Sequence, residues 1–172
     1  MLKQVSYLNW LTRTAILLAI LIVIQMVGLP QPFTGPIVNF ILFFTISVVD
    51  LGSAVVIGAI SPWIAFSRGI LPPPLGPMIP FIIMGNVAMV FIYKLVSHPK
   101  FIPANLFFRS ILGVLAGALI KYLILSSAVK YFVQVPAPIA QMMSLPQLFT
   151  ALGGGLLFLI IDPLWKKANK KR

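Results

Sequence analysis

The stretch LTRTAILLAILIVIQMVGLP, residues 11–30, decides the class of fold. It holds one charge, Arg13, near its start and reaches Pro30 without another. An apolar run of about 20 residues is the length that a helix needs to cross a bilayer. Ala15 and Ala19 lie four residues apart, so both fall on the same helix face. The stretch therefore predicts a first transmembrane helix that keeps a narrow face of small residues.

The composition of the whole chain agrees with this interpretation. Of 172 residues, 60% are hydrophobic and only 9% are charged, and the mean hydropathy is +1.06. Soluble domains carry about 25% charged residues, so we expect an all-α integral membrane protein of one domain, residues 1–172. The chain has no cysteine, which excludes disulfides and thiol chemistry. The first apolar segment is too long for the core of a signal peptide, and we interpret it as a true span.

Thirteen basic residues face only two acids, giving a formal net charge of +11. The basic residues cluster at the ends of apolar segments, which indicates the positive-inside bias of membrane proteins rather than nucleic-acid binding. Apolar segments of the required length predict six transmembrane helices, at 11–28, 35–50, 52–69, 78–96, 105–127 and 147–165. The second is short and its joint with the third is tight, so five spans are an alternative.

The basic residues at the two ends of the chain favour six transmembrane helices over five. Lys3 and Arg13 flank the first span, and the basic tail 166–172 follows the last. Both termini are then cytoplasmic, with the tail near anionic lipid. The connections expected outside, 28–36, 69–77 and 135–146, are rich in proline and poor in charge. They are either stiff loops that cover the outer surface or plain turns that end helices.

Enzyme chemistry finds little support in the sequence. Asp50 and Asp162 fall at predicted cytoplasmic ends, and the single histidine, His98, lies in a cytoplasmic connection. No two of these have metal-ligand or acid–base spacing, and no nucleotide-binding or hydrolase motif is present. We therefore predict a protein that is not an enzyme, holds no metal and has no cofactor of its own.

Polar side chains within predicted spans are costly in lipid, so each is a candidate for function. Lys121 lies roughly 18 Å along the fifth span from Arg109, in the outer half. It either extends to the outer headgroups or lines a pocket. Asn86, in the fourth span, lies at a similar depth and either forms an interhelical hydrogen bond or faces the same pocket.

Other polar residues are predicted near the same depth: Arg68, Asn39, Gln25, Gln147 and Thr150. Each is either a helix cap or interface residue by itself, or one of a set that lines a cavity opening outward, with apolar walls from Trp63, Phe33, Phe81 and Tyr122. Its charges would be Lys121 and Arg68, with no carboxylate. Such a site favours an anionic or neutral ligand over a cation or a bare divalent metal.

In these features the chain resembles the substrate-binding S components of energy-coupling factor (ECF) transporters. The resemblance covers nearly the whole length: about 170 residues, six spans, a basic tail and proline-rich outer loops. Ala15 and Ala19 match the family's first-helix motif, and PFIIMGN, residues 80–86, is similar to a fourth-helix segment that faces the ligand. The loops 28–36 and 69–77 correspond to those that cover the family's pocket.

The resemblance implies a division of labour in a bacterial plasma membrane. This subunit would bind a micronutrient at Lys121, Asn86, Arg68, Asn39, Gln25 and Tyr122, and would dock on a transmembrane coupling subunit through Ala15 and Ala19. Two ATPase subunits would use ATP, and the S component would topple in the bilayer. Anionic vitamins such as pantothenate, folates or lipoate, and also haem, stay open as ligands. The alternatives are a scaffold protein of cell-envelope assembly and a membrane enzyme acting on lipids.

Overall fold

The computed structural model describes residues 7–170, and this part of the chain is helical without a β-strand. Six long helices form a bundle: α1 Tyr7–Met26, α2 Gln31–Val48, α3 Leu51–Ser67, α4 Ile79–Val96, α5 Leu106–Tyr131 and α7 Leu145–Asn169. A short α6, Ala137–Met142, precedes α7, and a 3-10 helix, Pro73–Met78, leads into α4. Lys3, Lys171 and Arg172, used above to orient the chain, lie outside the described residues.

Five segments of the described chain are long and apolar enough to cross a membrane. They are α1, α2, α4 with its preceding 3-10 turn, α5, and α6 with α7. The protein is therefore a multi-pass membrane protein. The helix that falls short is α3, with 17 residues, so the count of six spans and the cytoplasmic position of both termini stay predictions.

The predicted start of the second span, at residue 35, is wrong because the helix already begins at Gln31. Pro32 sits in the first turn, where its missing N–H would have no intrahelical partner in any case. Likewise, α5 continues to Tyr131, and α7 carries the first residues of the predicted basic tail to Asn169. Proline and charge thus mark helix ends less sharply here than the sequence indicates.

Two glycines mark the ends of helices, and one aspartate marks the start of another. Gly28 follows α1 and Gly69 follows α3, both with φ of +71°, a conformation that other residues rarely adopt. Asp50 caps α3 by accepting a hydrogen bond from the Ser53 backbone N–H at 2.7 Å. Burial alone would raise the pKa of the Asp50 carboxyl, but the hydrogen bonds from Ser53 and Trp10 and the charge of Lys94 lower it overall.

Helices approach one another most closely where glycine faces backbone. A Cβ added to Gly117 on α5 would lie 2.8 Å from the Met89 carbonyl oxygen on α4, and one added to Gly154 on α7 would lie 2.5 Å from the Pro36 carbonyl oxygen on α2. Small residues allow such contact, which stabilises helix pairs in lipid, where apolar burial gains little. The pairs α4–α5 and α2–α7 therefore form the rigid frame of the bundle.

Helix α1 is the least buried of the long helices. Only Thr14, Leu21 and Gln25 of its 20 residues are buried. Thr14 shares a 2.7 Å hydrogen bond with the Ser53 hydroxyl of α3. Helix α1 therefore lies along the edge of the bundle, held to α3 by polar contacts and leaving most of its surface exposed.

The bundle has two ends of different character. At the basic end, where α1, α3 and α5 begin and α2, α4 and α7 finish, lie both acids and most of the described basic residues: Arg13, Lys94, Lys100, Arg109, Lys166, Lys167 and Lys170. Asp162 accepts hydrogen bonds there from the Ser47 hydroxyl and, at 2.7 Å, from Lys166. At the opposite end, which we call the cavity end, lie only Arg68, Lys121 and Lys130 of the described charged residues.

A candidate ligand cavity at the cavity end

A cavity opens at the cavity end, between the end of α1, the start of α2, the last turns of α3, and α4, α5 and α7. Its polar wall consists of Gln25, Gln31, Thr34, Asn39, Ser61, Asn86, Lys121 and Gln147. The centre of a water molecule can reach about 80 Å³ of it, and the total empty space, including the open mouth, is about 540 Å³. Ligand pockets typically measure about 300–1,000 Å³, and the first of these two volumes is the one to compare with that range, so the enclosed part of this cavity is small and a bound organic molecule would extend into its open mouth.

Lys121 is the centre of the polar wall. Its side chain is 3% exposed, and Nζ donates a hydrogen bond to Asn39 Oδ1 at 2.6 Å. The stem of the side chain packs on Gly85, where an added Cβ would lie 3.3 Å from Lys121 Cγ. The structure thus places Lys121 in the cavity rather than extended to the bilayer surface.

No carboxylate accompanies this lysine among the described residues. The chain's only acids, Asp50 and Asp162, both lie at the basic end, and the ion pair found in the described part is Lys166–Asp162. Buried lysines are seldom left without an anionic partner, because removing a cation from water is costly. Among the described residues, the partner of Lys121 is one neutral carbonyl group, that of Asn39, so an anion bound in the cavity would supply the negative charge that the protein does not.

Asn86 on α4 contacts α3 at the point where α3 lacks one backbone hydrogen bond. Its Nδ2 donates to the Gly58 carbonyl oxygen at 2.9 Å. That carbonyl has no intrahelical partner, because the residue four positions on is Pro62, which lacks an N–H. The amide of Asn86 thus replaces the missing helical hydrogen bond, and its Oδ1 stays buried without a partner.

Gln25 connects α1 to α3 in a similar way. Its Nε2 lies 3.2 Å from the Ser61 hydroxyl and 3.4 Å from the Ser61 carbonyl oxygen. Its Oε1 is buried without a partner, as is Oε1 of Gln31 at the start of α2. Buried polar atoms are nearly always hydrogen-bonded, so these two oxygens are positions at which a water molecule or a ligand would donate a hydrogen bond.

Four of the six residues predicted to bind a substrate come together here: Lys121, Asn86, Asn39 and Gln25. The other two lie outside the cavity wall. Arg68 is exposed at the end of α3, and Tyr122 follows Lys121 on α5 but points away from the lining. All three predicted outer loops contribute: Gln31, Thr34 and Gly35 from the first, Ile70 and Leu71 from the second, and Met143 from the third.

The predicted aromatic walls are wrong. Phe33 and Trp63 are 64% and 57% exposed, and neither they nor Phe81 line the cavity. A helix with lipid on one side places large rings outward at little cost, so an aromatic residue near a site gives no direction. The apolar lining instead consists of Val38, Pro62, Ala65, Ile70, Leu71, Ile82 and Met143.

Sequence reasoning missed three polar residues of the cavity wall: Ser61, Gln31 and Thr34. Ser61 stands in an apolar helix beside Pro62, and a hydroxyl at that depth was a usable signal. Gln31 was assigned to a loop because prolines surround it, although it opens α2. Gln147, predicted only as one of several polar residues at this depth, lines the cavity from α7.

Comparison with models of known protein families, with curated proteins and with solved structures gives no match for this chain. The function is therefore inferred from the geometry of the cavity and from the sequence motifs.

Proposed function

We propose that this chain is the substrate-binding subunit, or S component, of an ECF-type importer in a bacterial plasma membrane. It would bind an anionic or neutral vitamin-like compound from outside the cell and dock on a transmembrane coupling subunit, while two partner ATPases use ATP. The single observation that carries the proposal is a cavity that contains a buried lysine, Lys121, with no carboxylate partner among the described residues.

The distribution of charge supports an outward-facing cavity. Seven described basic residues lie at the basic end, and the cavity opens at the other end. By the positive-inside rule, the basic end is cytoplasmic. The cavity then opens to the exterior, where an importer must collect its substrate.

The surface of α1 supports docking on a partner. Ala15 and Ala19 are both exposed, and small residues on one helix face allow another membrane helix to approach closely. Ile16 and Ile20, on the adjacent surface, are 54% and 46% exposed. This side of the helix is therefore open for a coupling subunit to contact.

A purely structural role accounts less well for the cavity. A scaffold gains nothing from burying a lysine without an anion or from leaving the amide oxygens of Gln25 and Asn86 without partners. Each such group costs stability, and a bound ligand offsets that cost. The same reasoning favours a binding protein over the scaffold and lipid-enzyme alternatives.

Mass spectrometry of the detergent-purified protein tests ligand binding. We expect a stoichiometric small molecule that is lost in Lys121→Met, a substitution of similar length without the charge. Co-expression with an ECF module tests docking: Ala19→Trp should abolish co-purification of the coupling subunit. Leu119→Trp, on the exposed side of α5, is the matched control and should not. Normal complex yield from Ala19→Trp, or a wild-type protein that neither carries nor binds any small molecule, contradicts the proposal.

A further inference from the structure

The unpartnered atoms of the cavity wall share one chemical property: the buried ones that lack a partner are carbonyl oxygens. Gln25 and Asn86 are each 2% exposed, and Gln25 Oε1, Gln31 Oε1 and Asn86 Oδ1 are all buried without a hydrogen bond. All three residues line the same cavity. A carbonyl oxygen can only accept a hydrogen bond, so this side of the wall can pair only with donors, which either water or a ligand can supply.

The orientations of two of these amides are fixed by their neighbours. Asn86 Nδ2 faces the Gly58 carbonyl oxygen at 2.9 Å, and Gln25 Nε2 faces the carbonyl and hydroxyl oxygens of Ser61. Rotating the Asn86 amide by 180° would oppose two carbonyl oxygens, which repel. At Gln25 the Ser61 hydroxyl could pair with either end of the amide, so the contact with the Ser61 carbonyl oxygen at 3.4 Å sets the orientation. Because α3 holds the amino group of each amide, the oxygen remains as the end available to a ligand.

The opposite requirement applies at Lys121. A lysine ammonium has three N–H donors, and Asn39 Oδ1 accepts one of them at 2.6 Å. An anionic ligand beside this nitrogen would favour its charged form, and up to two donors are then left for that ligand. One wall of the cavity therefore offers a cation and the other offers hydrogen-bond acceptors.

We infer that the ligand is a small organic acid that also carries at least two O–H or N–H donors, such as a hydroxy acid or an amide-bearing acid. Its anionic group would bind Lys121, and its donors would bind Gln25 and Asn86. The inference rests on the proposed function and narrows it: an acid without further donors leaves the acceptors unpaired, and a cation is repelled by Lys121. A site built around hydrogen bonds rejects an analogue that lacks them far more strongly than an apolar pocket does.

Four sets of probes separate these classes when each is added to the purified full-length protein and its thermal unfolding is followed. The donor-bearing acids are pantothenate and gluconate, and the donor-free acids are lipoate and octanoate. The donor-bearing neutral compounds are panthenol and pyridoxine, and the cations are thiamin and choline. We expect stabilisation by a donor-bearing acid, with a Kd at least about tenfold lower than that of any compound in the other sets.

The outcomes separate this inference from the proposed function. Tighter binding of a donor-free acid, a neutral compound or a cation overturns the inference but leaves a binding subunit. A protein that responds to no set, and from which mass spectrometry recovers no small molecule, overturns both. A recovered molecule that is not an acid with at least two further donors also overturns the inference.

A variant combined with a ligand analogue tests the role of the Gln25 oxygen itself. Gln25→Met keeps the length of the side chain and removes the acceptor; Gln141→Met, at an exposed position on α6, is the matched control. Gln25→Met should weaken the best donor-bearing acid by about tenfold and affect an analogue lacking the contacted donor much less. Equal weakening of both compounds would mean that Gln25 acts through shape alone and would overturn its assignment as an acceptor.

Discussion

Two neighbouring glycines on α7 give a sharp test of the packing that holds the cavity in place. A Cβ at Gly154 would lie 2.5 Å from the Pro36 carbonyl oxygen, 2.6 Å from Asn39 Cβ and 2.6 Å from the Phe40 backbone nitrogen. A Cβ at Gly153 would lie 3.5 Å from Pro36 Cβ, which is ordinary contact. Gly154→Ala and Gly153→Ala therefore add the same methyl group to the same helix with opposite steric consequences.

The magnitude follows from these distances. The methyl group at Gly154 falls about 1 Å short of ordinary contact and meets backbone atoms, which cannot rotate away as a side chain can. Overpacking of this kind costs about 1–3 kcal/mol, and a gap of about 1 Å between α2 and α7 forfeits a further part of their dispersion energy. At Gly153 the same change gains up to about 1 kcal/mol of helix propensity.

Thermal unfolding of both variants in detergent, without ligand, measures the difference. We expect Gly154→Ala to unfold at a lower temperature than Gly153→Ala by about 5–15 °C, since each kcal/mol shifts the midpoint by about 2–4 °C at this chain length. Gly154→Ala should also weaken ligand binding, because the contact displaces Asn39, the partner of Lys121. Equal midpoints for the two variants would refute the close approach of α2 and α7.

Three further predictions concern single side chains. Lys121→Met should leave the midpoint of the ligand-free protein unchanged or raised, because a buried cation without an anion costs stability, while calorimetry shows weaker binding of an acid; a lowered midpoint contradicts this. Pro62→Ala should restore an N–H for the Gly58 carbonyl and weaken ligand binding with no loss of helical circular dichroism; unchanged affinity counts against the role of the proline. Asp162→Asn should lower the free energy of unfolding by about 1–3 kcal/mol, as measured by thermal unfolding. Lys166→Met should lower it by under about 1 kcal/mol, because Lys166 is 48% exposed. Equal losses in the two variants would refute a stabilising role for the buried hydrogen bond between Asp162 and Ser47.

The sequence was most informative where polarity and burial conflict. Lys121, Asn86 and Gln25 each interrupt an apolar helix, and that conflict alone predicted that they would meet. The membrane class follows from the length of the apolar segments, because a bilayer imposes one requirement on every span. Helix starts were less predictable, since Pro32 is compatible with both a loop and a first helical turn.

The sequence did not predict whether an aromatic side chain faces the cavity or the lipid. Phe33 and Trp63 were expected in the cavity and instead lie largely exposed. In a soluble protein, burial is the default for such rings, but lipid solvates them as well as a protein interior does. Ser61 was missed for the complementary reason: a small hydroxyl has weak preferences, and only the approach of Gln25 makes it part of the site.

Pro62 gives the backbone of α3 a role in recognition, in addition to the contact that the Ser61 side chain makes with Gln25. By lacking one hydrogen atom, it leaves the Gly58 carbonyl to Asn86 and so determines which end of that amide faces the cavity. A regular helix at this point would free Asn86 to rotate and present either a donor or an acceptor. The preference of the cavity for hydrogen-bond donors thus depends partly on the missing amide hydrogen of Pro62. Replacing Pro62 would allow the cavity to accept a ligand with acceptors in place of donors, without altering any residue that contacts the ligand's donors.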